Sequence, residues 1–194
     1  ILMVGYNRRF SNLVIKLKEY TKKINGPKSF IYTCNAGFIP KSHWIHDKNV
    51  GGGRLIGEAC HFVDLLRDIT GSKIVDIQIF KMKSEQDLED NFTLQLTFMD
   101  SSIGTIHYFS NGSKSFIKER LEVFGDGKII LIDNFKKLKT WGFKKNCNIS
   151  LIKQDKGQKN CISNFLKAIK NGNESPISTH ELFEVQEWMI KLNK

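Results

Sequence analysis

Gly51-Gly52-Gly53-Arg54-Leu55-Ile56-Gly57-Glu58-Ala59-Cys60-His61-Phe62-Val63-Asp64-Leu65-Leu66-Arg67 is the stretch around which the rest of the chain is read. Three consecutive glycines allow backbone conformations closed to other residues and let another group come close. A helical pattern starts at once: Ile56, Ala59, Cys60, Val63 and Leu66 recur at helical spacing as one apolar stripe. At about 100° per residue, Glu58 and His61 fall on roughly the opposite side, three apart and within reach of each other. A titratable pair near a helix N-terminus, just after such a loop, has the geometry of a site. The glycines are not a dinucleotide fingerprint. Ile56 occupies the place of the third glycine of Gly-x-Gly-x-x-Gly, and no βαβ pattern surrounds the run. No cofactor is therefore expected on this chain.

Upstream, Met3 to Tyr6 reads as a short strand, and Ser11 as the N-cap of a helix through about Ile24 with Leu13, Leu17 and Tyr20 on one face. Asn25-Gly26-Pro27 stops it. Ser29 to Asn35 is strand-like. The loop from Ala36 to Gly53 carries Pro40, His43, Trp44, His46 and Asp47, and loops of this length are often functional. Downstream of Gly71 the pattern changes to alternation, over Ile74–Met82, Phe92–Phe98, Ile103–Ser110, Leu121–Phe124, Lys128–Asp133 and, more weakly, Leu138–Phe143 and Ile149–Ile152. Two helices close the chain, one with Cys161, Phe165, Ala168 and Ile169 as its stripe, the other with Leu182, Val185, Met189 and Leu192; Thr179 with Leu182 makes an imperfect capping box. Short links between the strands predict an α+β domain: an open, mainly antiparallel sheet of about five to seven strands with the helices on one face. A single domain spans 1–194, with 1–10 as a linker strand.

The 194 residues, 40% of them hydrophobic and 14 of them Phe, suffice for a substantial core. No apolar run has the length of a membrane span. The N-terminus has no charged leader and starts in mid-pattern without Met, as a fragment of a longer protein would. Cys34, Cys60, Cys147 and Cys161 show no metal or redox spacing and are expected as free thiols in the cytoplasm. The formal charge is +10, but eight lysines lie between Lys136 and Lys159 against Asp155 alone. Lysine without arginine or interleaved aromatics describes a solvated face rather than a nucleic-acid footprint.

The ordered set Asn7-Arg8-Arg9-Phe10, Asn35-x-Gly37, Pro40-x-x-His43-Trp44, Gly51-Gly52-Gly53, Gly57-Glu58-x-Cys60-His61 and His61-x-x-Asp64-Leu65 resembles the glucose–fructose oxidoreductase and inositol dehydrogenase family (Gfo/Idh/MocA). It is most similar to the oxidoreductase half fused to zinc-dehydrogenase-like proteins. The resemblance covers only the second half of such an enzyme. It implies a C-terminal substrate and assembly domain of an NAD(P)-dependent oxidoreductase acting on a sugar, polyol or related hydroxyl. The chain alone would be inactive, because NAD or NADP would be held by a missing N-terminal domain that also carries the family's Glu-Lys-Pro lysine. By resemblance His61 is the substrate-contacting histidine. Trp44 and His46, as loop aromatics, are expected to line the substrate cleft; Asn35 can hydrogen-bond the same ligand or cap the loop, and Arg8 with Arg9 can hold an anionic group or form interdomain salt bridges. The family's Asp four residues before the histidine is Gly57 here, which leaves Glu58 to partner His61.

The residues also admit other roles. A neutral His61 near pH 7 can move a hydroxyl proton, or it can be a structural histidine bonded to Glu58. Asp64 can pair with Arg67 or Arg8. His43, His46, Glu58 and His61 are candidate zinc ligands, but a His-x-x-His in a loop is a weak pattern and no metal is expected. A homodimer or homotetramer is expected through the uncovered sheet face, because Phe92–Phe98 and Ile103–Phe109 read as apolar on both sides. The second functional reading is a non-catalytic assembly or anion-binding module.

Overall fold

Alternating apolar residues commit the middle of the chain to strands: β1 (Ser29–Asn35), β2 (Ile74–Lys81), β3 (Phe92–Phe98), β4 (Ile103–Phe109), β5 (Glu119–Gly125), β6 (Lys128–Asp133), β7 (Lys137–Trp141) and β8 (Asn148–Ser150). The computed structural model describes residues 1–47, 49–83 and 89–193. All eight strands join one sheet in the order β2-β3-β4-β1-β5-β6-β7-β8. Neighbours are antiparallel except β1 and β4. That parallel pair arises because the chain leaves β1, crosses by a helix and returns through two antiparallel steps to β1's free edge. The eighth strand, beyond the expected number, is the three-residue β8.

One face carries Phe30, Tyr32, Leu94, Leu96, Ile106, Tyr108, Leu121, Val123, Ile130, Ile132 and Leu138, all buried. Three helices touch this sheet. α1 (Asn12–Thr21) lies on β6 and β7, α2 (Cys60–Thr70) on β4, and α4 (Thr179–Leu192) on β2. Ser11 caps α1, its side chain accepting from the Leu13 amide at 3.3 Å, and the helix ends three residues short of Ile24. Ser178, not Thr179, caps α4, accepting from the Glu181 amide at 3.2 Å. α3 (Gln158–Asn171) packs instead on the 3₁₀ turn Asn7–Phe10. Cys161 and Ala168 of its expected stripe are buried, whereas Ile169 is 49% exposed.

Residues 3–6, read as a strand from their composition, form none within this chain. An extended segment is a strand only with a hydrogen-bonded neighbour, and no strand among the described residues pairs with this one. The outer sheet face also differs from expectation. On β3 it consists of Thr93, Gln95 and Thr97, so this strand is apolar on one side only. Apolar residues concentrate in one row that the register places across four strands: Ile103, Phe124, Ile129 and Trp141, with Ser29 between the first two.

Gly157 joins the end of the sheet to α3. It has φ +83°, and a Cβ there would lie 2.3 Å from the Asn7 carbonyl oxygen and 2.4 Å from the Ser11 amide nitrogen. Both obstacles are backbone, so Gly157→Ala must strain the left-handed turn and push the Asn7–Ser11 segment away. A loss of about 2–4 kcal/mol is expected, measurable by urea unfolding; a loss under about 1 kcal/mol would show that the segment yields freely.

Candidate functional site

The glycine run builds its own loop tightly. A Cβ on Gly51 would fall 2.5 Å from Ile45 Cα, and one on Gly57 2.5 Å from Ile45 Cδ1. The glycines thus let the Trp44–His46 turn lie against the start of the helical segment. Gly52 and Gly53 instead face a cleft, and a Cβ on Gly53 would meet nothing within 4 Å.

Residues Leu55–Ala59 form a π turn ahead of α2. A π turn inserts one residue into the helical repeat and is frequent at functional sites. It shifts the phase of the predicted stripe: Leu55 is buried and Ile56 only half-buried, while Ala59, Cys60, Val63 and Leu66 pack inward as expected. Arg54, Glu58 and His61, at i, i+4 and i+7, form a polar stripe.

His61 is half-buried, its ring edge-on to Tyr6 with centroids 5.5 Å apart. Its Nδ1 is buried without a hydrogen-bond partner. No bond to Glu58 is present among the described residues. The Glu58 carboxylate instead accepts from the Tyr108 hydroxyl at 2.8 Å and lies 3.3 Å from Arg54 Nε. Burial and the Arg8 guanidinium push the imidazole down to about 4, against the opposing pull of Glu119 and Glu58. The ring is therefore neutral at pH 7. Because the unfolded chain binds the proton from about 6.5 downward, His61 costs stability progressively as pH falls from there towards 4. Ring nitrogen shifts measured by NMR should give a midpoint near 4; a midpoint near 6.5 would mean the ring is solvated.

Arg8 grips Glu119 with two bonds, Nε at 2.7 Å and Nη2 at 3.1 Å, and lies 4.8 Å over the Phe62 ring. Glu119 also takes Lys156 Nζ at 2.5 Å and the Tyr32 hydroxyl. Burial alone would raise this carboxyl, but Arg8 and Lys156 outweigh it and hold it at about 2. Arg8 is thus committed to an internal ion pair beside His61. Asp64 pairs with Arg9, at 2.5 and 3.0 Å, rather than with Arg8 or Arg67; Arg67 binds Glu184 at 3.0 and 3.1 Å.

Trp44 and His46 lie apart from that group. They line a cleft of about 1100 Å³ together with Arg54 and Asp90, and His61 is not among its lining residues. Arg54 links the two regions. It sits beside Glu58 at one end and 3.6 Å from Asp90 at the other, and its Nη1 donates to the Gly37 carbonyl at 2.8 Å. Asn35 holds the loop after β4, donating to the Ser113 carbonyl at 2.7 Å. The structure therefore brings Arg8, Glu58 and His61 together, Trp44 and His46 together, and Asn35 with neither group through any hydrogen bond given by the described residues. Glu119, Tyr32, Tyr108 and Asp90 went unnoticed in the sequence. Only Arg54 left a sign there, standing four residues before Glu58 on the same helix face. Among the described residues no three His, Cys, Asp or Glu side chains are grouped to hold a metal, and no helix is long and apolar enough to cross a membrane.

This architecture, one eight-stranded sheet with helices on it, recurs in solved structures of oxidoreductases. The chain belongs to the GFO/IDH/MocA C-terminal domain family, whose model matches residues 27–130. Among solved structures it is similar to UDP-N-acetylglucosamine 3-dehydrogenase from Acidithiobacillus ferrooxidans at TM-score 0.79 and 18% identity, covering 100% of this chain and 60% of that one. An aldose-aldose oxidoreductase from Caulobacter crescentus gives TM-score 0.79 at 16% identity, covering 99% and 61%. An oxidoreductase domain protein from Kribbella flavida gives 0.81 at 18%, covering 98% and 63%. The chain thus spans about 60% of the length of such structures. Comparison with curated protein sequences gives no match.

Proposed function

We propose that this chain is the substrate-binding and assembly domain of an NAD(P)-dependent oxidoreductase acting on a sugar, polyol or related hydroxyl. The observation that carries this reading is the neutral, half-buried His61 on the polar stripe of a π-turned helix, within a fold belonging to an oxidoreductase family. The names of two similar structures, an aldose-aldose oxidoreductase and a UDP-N-acetylglucosamine dehydrogenase, support a sugar substrate. NAD or NADP, bound by a domain outside this chain, would supply the hydride chemistry. His61 receives the hydroxyl proton as the carbonyl forms, and returns it in the reverse direction. Arg8 is a positioning residue, fixed by Glu119, whose charge adds to burial in keeping the imidazole neutral and lowers its basicity. Glu58, held by Tyr108 and Arg54, lies close enough to stabilise the imidazolium once formed.

Residues 1–10 serve as the connection to the cofactor domain, and the unpaired segment 3–6 finds its strand partner there. The outer sheet face serves for a homodimer or homotetramer. Its support is the exposed apolar row ending in Ile103 and Trp141. The four free cysteines suit a reducing, cytoplasmic setting. Steady-state NAD(P)H formation from sugars and polyols by the full-length enzyme tests the reading; turnover of none of them would overturn it.

A further inference from the structure

We infer that the cleft between the Trp44–His46 turn and the adjoining ends of β2 and β3 is a second carbohydrate subsite, taking an uncharged sugar ring one unit away from the reacting hydroxyl. The substrate is then a saccharide of at least two units, or a glycoside, rather than a lone monosaccharide. The position of the reacting end rests on the reading of His61 given above; the subsite itself rests on its own geometry.

The floor of the cleft holds three buried polar side chains, His46, Asp90 and Arg54, exposed by 9, 5 and 1%. His46 Nε2 and Asp90 Oδ2 face each other at 3.7 Å, too far for a hydrogen bond. Neither atom has a hydrogen-bond partner among the described residues, and Asp90 Oδ2 also lies 3.6 Å from Arg54 Nη1. Buried polar atoms are nearly always satisfied, so such a pair calls for a bridging group. A hydroxyl has the right chemistry: it donates to the Asp90 carboxylate and accepts from His46 protonated on Nε2. At the rim Trp44 is 59% exposed and offers an indole face for the apolar side of a sugar ring.

Charge argues for an uncharged ligand. Arg54 is matched by Glu58 and Asp90, and Lys81 is bonded to Glu89. Lys41, Lys83 and Asp47 also line the cleft. An anion placed on the floor would meet Asp90 before any free cation. Distance argues for a second unit. Arg54 on the cleft floor and His61 stand seven residues apart along the helical segment, and His61 does not line the cleft, so a ring seated there leaves the reacting hydroxyl to a neighbouring unit.

Saturation-transfer NMR on the full-length enzyme, without cofactor, tests this with a mixture of glucose, cellobiose, maltose, lactose and methyl glucoside, and separately with UDP. Transfer to at least one disaccharide or to the methyl glycoside is expected, stronger than to glucose. Trp44→Ala and Asp90→Ala should each weaken it by at least about tenfold. Trp44 is exposed, so its variant decides the matter if Asp90→Ala fails to fold. His61→Ala should retain the binding, which separates this subsite from the proton role of His61. Binding of UDP alone, of no neutral glycoside, or binding unchanged by Trp44→Ala would overturn the inference, the cleft then being filled by water or serving an anion.

Discussion

Replacing His61 by alanine in the full-length enzyme lowers kcat by roughly 10²–10⁴-fold, the scale of a lost acid–base group. The low basicity of the ring, at about 4, places the loss toward the smaller end of that range. A base works best when its pKa lies near the working pH, and burial beside Arg8 has moved this one below it. The fold should survive, because Nδ1 makes no hydrogen bond and the ring, half-buried, stands edge-on to Tyr6; a stability change within about 1–2 kcal/mol is expected. His61→Gln, which keeps hydrogen bonding but cannot take a proton, should be as slow as alanine. Wild-type turnover in a folded His61→Ala enzyme would return the residue to a structural role.

Glu119→Ala destabilises the domain by about 3–5 kcal/mol, the cost of breaking a buried ion pair from one side. Its carboxylate meets the Arg8 fork, Lys156 and the Tyr32 hydroxyl while itself fully buried. Removing it leaves Arg8 charged and uncompensated against Phe62. The pH dependence has a definite sign. Glu119 is held at about 2, below its ordinary 4.5. Its contribution is therefore complete above 4.5 and is lost as pH falls towards 2, by about 3 kcal/mol in all. Urea unfolding of the wild type should show that acid limb, and Glu119→Ala should show a flatter one. Equal acid sensitivity in both would mean the ion pair contributes nothing to stability.

The sheet was largely legible in the sequence because alternation is a local signal. Phe92 to Phe98 and Ile103 to Phe109 carry it without help from any distant residue. What alternation cannot give is pairing, so the parallel match of β1 with β4, more than sixty residues apart in sequence, appears only in the structure. The helix after the glycines was legible in type and in most of its inward residues. Its phase was not, because a π turn at Leu55–Ala59 breaks the 100° rule on which any helical wheel depends. The predicted Glu58–His61 contact failed because Tyr108 from β4 and Arg54 four residues earlier claim the carboxylate. Arg8 was found by its motif, but its partner Glu119 stands 111 residues away and leaves no mark at sequence level. Asp90 was missed likewise, since an acid at the end of the acidic run Glu85 to Asp90 reads as solvated until His46 and Arg54 are brought against it.

The central claim is a division of labour, with hydroxyl-proton chemistry and substrate recognition in this chain and the dinucleotide elsewhere. Fluorescence titration of the 194-residue chain with NADH and with NADPH, its folding first verified by circular dichroism, tests this most directly. No saturable binding is predicted up to millimolar cofactor, since Ile56 stands where a dinucleotide-binding run needs its third glycine. Micromolar binding of either cofactor to the folded chain would contradict the account.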